Sequence, residues 1–248
     1  MRRILVVRPE PGASATARRL ADAGFEPVLL PMTRIAALEQ TVPDAKTFDA
    51  VAATSANAFR HASAELAAAI AGLRCFAVGA ETARSARRSG MKRVEEGGGD
   101  AAALAALIGR DRASPGRVLY ICGRVRRPDF EEALARAGIA VIAAETYDTL
   151  PVAYDAAAVE ARLGRSGVDA ILVHSAVAAD ALFALLDAQR ALFGSPHLVA
   201  ISPRVARTLA PAGLETAVAA EPDDASMLSC LRGIMTAAAP TGCPFPAP

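Results

Sequence analysis

The sequence contains no tryptophan, and aromatic residues make up only 4% of its 248 positions. That excludes an aromatic platform for stacking nucleic-acid bases. A formal net charge of +1 excludes the bulk basic field that nucleic-acid binders carry. Histidine is nearly as scarce, and His61, His174 and His197 stand at no metal-ligand spacing from a Cys, Asp or Glu. The four cysteines, Cys75, Cys122, Cys230 and Cys243, form no CxxC pair. Cys75 and Cys122 lie inside apolar runs and read as buried reduced thiols, so no metal site is expected. No stretch approaches the roughly 20 apolar residues of a membrane span. The opening Met1-Arg2-Arg3-Ile4-Leu5-Val6-Val7-Arg8 has an apolar run too short for a signal peptide. A cytoplasmic protein with neither membrane nor nucleic-acid partners is expected.

Motifs of cofactor chemistry are missing as well. Arg8-Pro9-Glu10-Pro11-Gly12 after the first strand-like run is no GxGxxG turn, and Gly97-Gly98-Gly99-Asp100 lacks the Lys-Ser/Thr of a P-loop. There is no GxSxG elbow. No cofactor is expected.

What is present is an alternation of short apolar runs and longer alanine-rich segments, in a chain 53% hydrophobic and 21% charged. This is the pattern of a parallel sheet covered by helices. The order repeats. Ile4-Leu5-Val6-Val7 has its counterpart in Val118-Leu119-Tyr120-Ile121, 114 positions later. The helices that follow end at Gly24 and Gly138, again 114 apart, where glycine suits the left-handed position after a helix. Second strands follow at Pro27 to Leu30 and Ala140 to Ala143. Phe48 to Ala56 matches Val168 to Ala176, and Cys75 to Gly79 matches Leu198 to Ser202. Gly99-Asp100 and Asp223-Asp224 each open a last helix with an Asp cap. Two five-strand units account for most of the chain, and 236–248, rich in proline, reads as a disordered tail. A period above 100 residues means domain duplication and not a solenoid. Taken alone, the repeat is equally compatible with two successive domains divided near Gly116.

In an open parallel sheet, ligands bind beyond the carboxyl ends of the strands. The residues there are Arg8-Pro9-Glu10, Thr54-Ser55-Ala56-Asn57, Gly79-Ala80-Glu81-Thr82, Gly97 to Asp100, Gly123-Arg124, Ser175-Ala176 and Ser202-Pro203-Arg204. Such loops expose backbone N–H groups at helix starts, which bind carboxylates or phosphates. Ser55, Ser175 and Ser202 also read as plain helix caps, and Pro203 as a first helical residue. Arg8 and Arg124 occupy nearly corresponding loops and are placed to receive an anion. Arg126 and Arg127 read as solvated charges at a helix start. Tyr147 follows a second strand, where it either packs or turns its hydroxyl to a ligand.

In their order along nearly the whole chain, these segments resemble the uroporphyrinogen-III synthase family. The resemblance rests on Val6-Val7-Arg8-Pro9, Phe25 to Pro31, Thr54-Ser55-Ala56-Asn57-Ala58, and Val78-Gly79-Ala80-Glu81-Thr82-Ala83. It continues through Gly123, Tyr147-Asp148-Thr149, Ser175 and Ala200-Ile201-Ser202-Pro203. It implies an α/β fold of two similar parallel-sheet domains (flavodoxin-like or Rossmann-like) joined by two extended linkers. Domain one would combine 1–36 with 152–240, domain two would be 37–151, and 241–248 a disordered tail. The implied reaction closes the linear tetrapyrrole hydroxymethylbilane to uroporphyrinogen III, with loss of water and inversion of ring D, and needs no cofactor. Holding the reacting ends in an attack-ready arrangement can contribute about 7–11 kcal/mol. The resemblance further implies Tyr147 as the chemical residue, with Arg8, Thr54, Ser55, Asn57, Gly79, Thr82, Gly123, Arg124, Ser175, Ser202 and Arg204 binding substrate carboxylates. A monomer is implied, with possible transient hand-over from the preceding pathway enzyme. The sequence departs from the family at Ser202, where Gly is common, at Val205, where Thr is usual, and at Cys122, where Arg is frequent. The rival reading is a non-catalytic two-domain binding protein for a small polyanionic ligand.

Overall fold

A computed structural model describes residues 1–110 and 116–237 of the chain; the proline-rich tail expected at 241–248 lies outside them. The chain divides into two compact units, Met1–Arg34 with Leu150–Pro248, and Ile35–Thr149. It opens with β1 (Arg3–Val6), α1 (Gly12–Asp22) and β2 (Glu26–Leu29), then crosses through β3 (Thr33–Ala37). The second unit follows as β4 (Ala50–Ala53), α2 (Ala56–Arg60), α3 (Ala64–Ile70), β5 (Arg74–Ala77), α4 (Ala80–Arg88), β6 (Arg93–Glu96), α5 (Ala101–Gly109), β7 (Arg117–Gly123), α6 (Asp129–Arg136) and β8 (Ala140–Pro151). The chain then returns through α7 (Ala156–Leu163), β9 (Ala170–Val173), α8 (Ala176–Gln189), β10 (His197–Ala200), α9 (Pro203–Leu209), β11 (Thr216–Val218) and α10 (Asp224–Ala237).

Among the described residues the first unit holds a five-stranded sheet ordered β11-β10-β9-β1-β2, with every neighbouring pair parallel. The second holds the order β6-β5-β4-β7-β8, extended by β3 to six strands. The two orders correspond strand for strand. In each, the first two strands of one sequence repeat lie beside the last three of the other, so repeats and spatial units are different divisions of the chain. β3 is paired where the sequence suggested only a linker, because that linker's backbone finds a partner beside β8.

Strand side chains alternate between faces, and both faces are covered. In β1, Leu5 and Val7 pack with Ile171, Val173, Leu182, Leu198 and Leu209 on the side of α7, α8 and α9. Ile4 and Val6 turn the other way, onto Leu20, Met227 and Leu231 of α1 and α10. The second unit repeats the scheme. Val51, Cys75, Leu119 and Ile121 pack with Phe59 and Leu66 of α2 and α3, while Phe76, Val118 and Tyr120 pack with Leu104, Phe130 and Leu134 of α5 and α6. Gly24 and Gly138 end α1 and α6 at φ of 85° and 75°, where a side chain would be strained. Among the described residues no helix is long and apolar enough to cross a membrane.

Candidate active site

In the second unit the carboxyl ends of β4, β7 and β8 lie side by side. Thr54 and Ser55 follow β4. The Thr54 hydroxyl meets the Tyr120 hydroxyl at 2.5 Å, and the Tyr120 ring stacks obliquely on Phe130 at 4.8 Å. Burial pushes the Tyr120 phenol up to about 12, with the Thr54 hydrogen bond opposing. Ser55 caps α2 by accepting from the Asn57 N–H at 3.2 Å, because a short hydroxyl side chain just before the helix can satisfy a free backbone donor.

The Ser55 side chain lies near enough to the phenol of Tyr147 to favour its ionised form. Tyr147 is only 8% exposed. Burial raises its pKa above the usual phenol value and Ser55 pulls the other way, so the group is protonated at neutral pH and can donate. Its ring lies over Gly123: a Cβ on that glycine would come within 2.6 Å of the Tyr147 ring carbon bearing the hydroxyl. Tyr147 does not follow the second strand, as its sequence position suggested. It lies inside β8, which runs on to Pro151 beyond the register shift at Cys122 and Gly123 and beyond the end of β7, with β3 on its other side.

Arg124 sits at the rim. Its N–H donates to the Tyr147 carbonyl at 2.8 Å, and its guanidinium, 56% exposed, pairs with Glu145 at 3.0 Å and Asp148 at 3.5 Å. Arg126 is not the free solvated charge its sequence position suggested. It is clamped by Glu131 at 3.1 Å and Glu145 at 2.9 Å and donates to the Gly123 carbonyl. Arg126, then Arg124, hold the Glu145 carboxyl below the usual range. Arg127 is exposed, 3.7 Å from Asp129. The Asn57 side-chain Oδ1 accepts from Arg60 at 3.0 Å, and Arg60 pairs with Glu81. Gly79 caps α4 without a side chain, and Thr82 is buried within that helix, so what they present at the helix start is backbone.

The first unit has its own polar cluster at the ends of β1 and β9. The Arg8 guanidinium lies flat over Gly12 and donates to Asp224 at 2.9 Å and Thr16 at 3.4 Å. Arg19 and His174 Nε2 reach the same carboxylate, the latter at 3.1 Å. The His174 hydrogen bond, opposed by partial burial and supported by Arg8, holds the Asp224 carboxyl below its usual range. Burial lowers the His174 pKa, with Asp224 opposing. Arg8 therefore already holds a carboxylate of its own chain. Ser175 caps α8 by accepting from the Ala178 N–H at 3.2 Å. Ser202 precedes Pro203 at the start of α9 but makes no side-chain cap bond, and Arg204 is exposed.

The structure thus gathers Thr54, Ser55, Gly123, Arg124 and Tyr147 into one group, with Asn57 and Gly79 on neighbouring helix starts. In the other unit Arg8 and Ser175 adjoin the Asp224 cluster, while Ser202 and Arg204 lie on the next loop. Tyr120, Thr146, His174 and Asp224 were not singled out from sequence. Their partners are dozens to hundreds of positions away, beyond any local pattern. Among the described residues no three His, Cys, Asp or Glu side chains converge in a way that could hold a metal ion.

The family model for uroporphyrinogen-III synthase HemD matches residues 14–229. The solved uroporphyrinogen-III synthetase from Helicobacter pylori is similar at a TM-score of 0.66 and 16% identity, covering 94% of this chain and 100% of that one. A mutant uroporphyrinogen III synthase from the extremely thermophilic bacterium Thermus thermophilus is similar at 0.54 and 22% identity, covering 96% and 100%. At these identities the structural likeness concerns the fold. The comparison with curated proteins finds no match.

Proposed function

Because the chain belongs to the uroporphyrinogen-III synthase family, a lyase-type enzyme family of tetrapyrrole biosynthesis, we propose that Tyr147 carries its chemistry. In this reading the strand ends on each unit bind the substrate's carboxylates. The observation that carries the reading is the buried phenol of Tyr147, its ring seated on Gly123 and packed against α2, the helix that Ser55 caps. A phenol so placed acts as a general acid. It gives its proton to the terminal hydroxyl of hydroxymethylbilane as that group leaves as water. Ser55 donates to the phenolate that forms, and the phenolate recovers a proton from the ring carbon that has formed the new bond. The rest is orientation. Ring D closes in its inverted sense only if both ends of the chain are held together in the right pucker, a large effect when achieved.

Backbone N–H groups at Ser55, Gly79, Thr82, Ser175 and Ser202 would take carboxylates, assisted by Thr54, the Asn57 side-chain amide, Arg8, Arg124 and Arg204. Arg8 and Arg124 would exchange their internal carboxylate partners for substrate ones, which fits their partial exposure. The enzyme would act as a cytoplasmic monomer that accepts its unstable substrate from the enzyme assembling it. Light scattering on the purified chain, alone and with that enzyme, checks both statements. The central test supplies fresh hydroxymethylbilane and identifies the porphyrin isomer after oxidation. Type III product is expected; type I alone, at the rate of the blank, would overturn the reading.

A further inference from the structure

The β7–β8 ladder is regular from Arg117 opposite Ala140 to Cys122 opposite Glu145, and then slips: Gly123 faces Tyr147, leaving Thr146 without a partner residue. A one-residue bulge of this kind re-aims the side chains beyond it. Ala144 packs toward α2 and α3, whereas Glu145 faces the other way, onto Arg126 and its α6 partner Glu131. Strict alternation would return Thr146 to the α2 side and send Tyr147 to the α6 side. The extra residue instead leaves both on the α2 side, where Ser55 stands.

Thr146 is fully buried. Its hydroxyl donates to the Ala58 carbonyl in α2 at 2.9 Å, and its carbonyl accepts from the Leu38 N–H at 3.1 Å. It therefore ties the bulge to α2, the helix that Ser55 caps and that Tyr147 packs against. Gly123 completes the arrangement. Its φ is not positive, so the backbone there does not require glycine; the space does, because the Tyr147 ring tip occupies the place of a side chain.

We infer that Thr146 and Gly123 are positioning residues that seat the Tyr147 ring on the α2 side of the sheet, where Ser55 stands. The inference rests on the reading of Tyr147 as proton donor, and assigns Gly123 a role other than carboxylate binding. Gly123→Ala and Thr146→Val are measured for kcat and KM on hydroxymethylbilane, each alone and combined with Tyr147→Phe. An ångström of misplacement can cost about a hundredfold. Each single change is therefore expected to lower kcat by about tenfold to a hundredfold with KM little changed and to have no further effect once Tyr147 is Phe; Thr146→Ser, which keeps the hydroxyl, should avoid most of the Thr146→Val loss. Losses that multiply undiminished in the Tyr147→Phe background would overturn the inference.

A second readout does not depend on turnover. With no tryptophan and only three tyrosines in the chain, ultraviolet absorbance follows phenol ionisation directly. The transition missing from Tyr147→Phe belongs to Tyr147, and it should move toward the ordinary phenol value in Gly123→Ala. A Tyr147 transition unmoved in that variant would overturn the seating. If the wild type gave only type I product, the proposed function would fail and the titration alone would decide the seating.

Discussion

At the level of single residues, the proposed chemistry rests on one phenol, and it can be tested apart from the rest. Tyr147→Phe keeps the ring on Gly123 and removes only the proton donor. General acid catalysis is worth about a hundredfold or more, so turnover of hydroxymethylbilane should fall by at least that factor while the fold, followed by circular dichroism, is unchanged. A wild-type rate would remove Tyr147 from the mechanism. In the first unit, His174 is held neutral mainly by burial. A group whose folded pKa is depressed contributes stability above its unfolded pKa and loses it as pH falls through the folded value. The first unit should therefore weaken as pH drops below about 6.5, and the Asp224 carboxyl, also depressed, adds a further loss below about 3.9. His174→Gln should flatten the upper limb of urea-denaturation stability against pH and also shrink the lower one, because His174 is the main support of the Asp224 carboxylate. Cys75 and Cys122 are buried thiols pushed up to about 12 by that burial, as their apolar surroundings in the sequence led us to expect. Peptide mapping after iodoacetamide treatment near neutral pH should find both unmodified in the folded protein. The buried cysteines were legible because burial follows from apolar runs; the His174–Asp224 pair was not, since its members belong to the β9 end and to α10 and meet only when both reach one sheet end.

At the level of elements, the helix caps carried most of what sequence could say, and they separate structural serines from candidate ligand serines. The Ser175 hydroxyl oxygen accepts an N–H at the start of α8, so Ser175→Ala should cost about 1 kcal/mol in chemical denaturation. Ser202 caps no N–H with its side chain, so Ser202→Ala should change stability by no more than about 0.5 kcal/mol. A fall in substrate affinity in Ser202→Ala without a fall in stability would mark its hydroxyl as a ligand group; unchanged binding would leave only its backbone. The glycine ends of α1 and α6 were readable because positive φ selects residue type directly. Asp100 and Asp223 were readable as caps for the same local reason, and they bond the Ala103 and Ser226 N–H groups. The bulge at Thr146 was not readable, because nothing in Glu145-Thr146-Tyr147 alone says which β7 residue each will face. The pairing of β3 escaped for the same reason.

At the level of the whole chain, duplication was written plainly in the sequence, since matching strands recur in the same order with only small changes of spacing. The exchange of halves between sheets was not. Similar repeats pair equally well within themselves or with one another, and the hydrophobic pattern is the same in both arrangements. What distinguishes them is the ladder itself, in which Ile4, Leu5 and Val6 pair with Ala170, Ile171 and Leu172. The candidate site was half visible: strand-end position picked out Thr54, Ser55 and Gly123, whereas Tyr147 lies inside a strand that runs on past it, and their mutual support came from contacts across strands.

The place of β1 between β9 and β2 also bears on how the polypeptide is made. Synthesis normally lets the N-terminal domain fold first, but here the first strand emerges from the ribosome more than 160 residues before its β9 neighbour. The second unit, Ile35–Thr149, is continuous and can close its sheet while the opening segment still waits. On ribosomes stalled once residue 149 has cleared the exit, limited proteolysis should spare the second unit and cut before residue 34. Protection of that opening segment should arrive only after β9 has been released. The last-made part of the chain thus decides when the first-made part is safe.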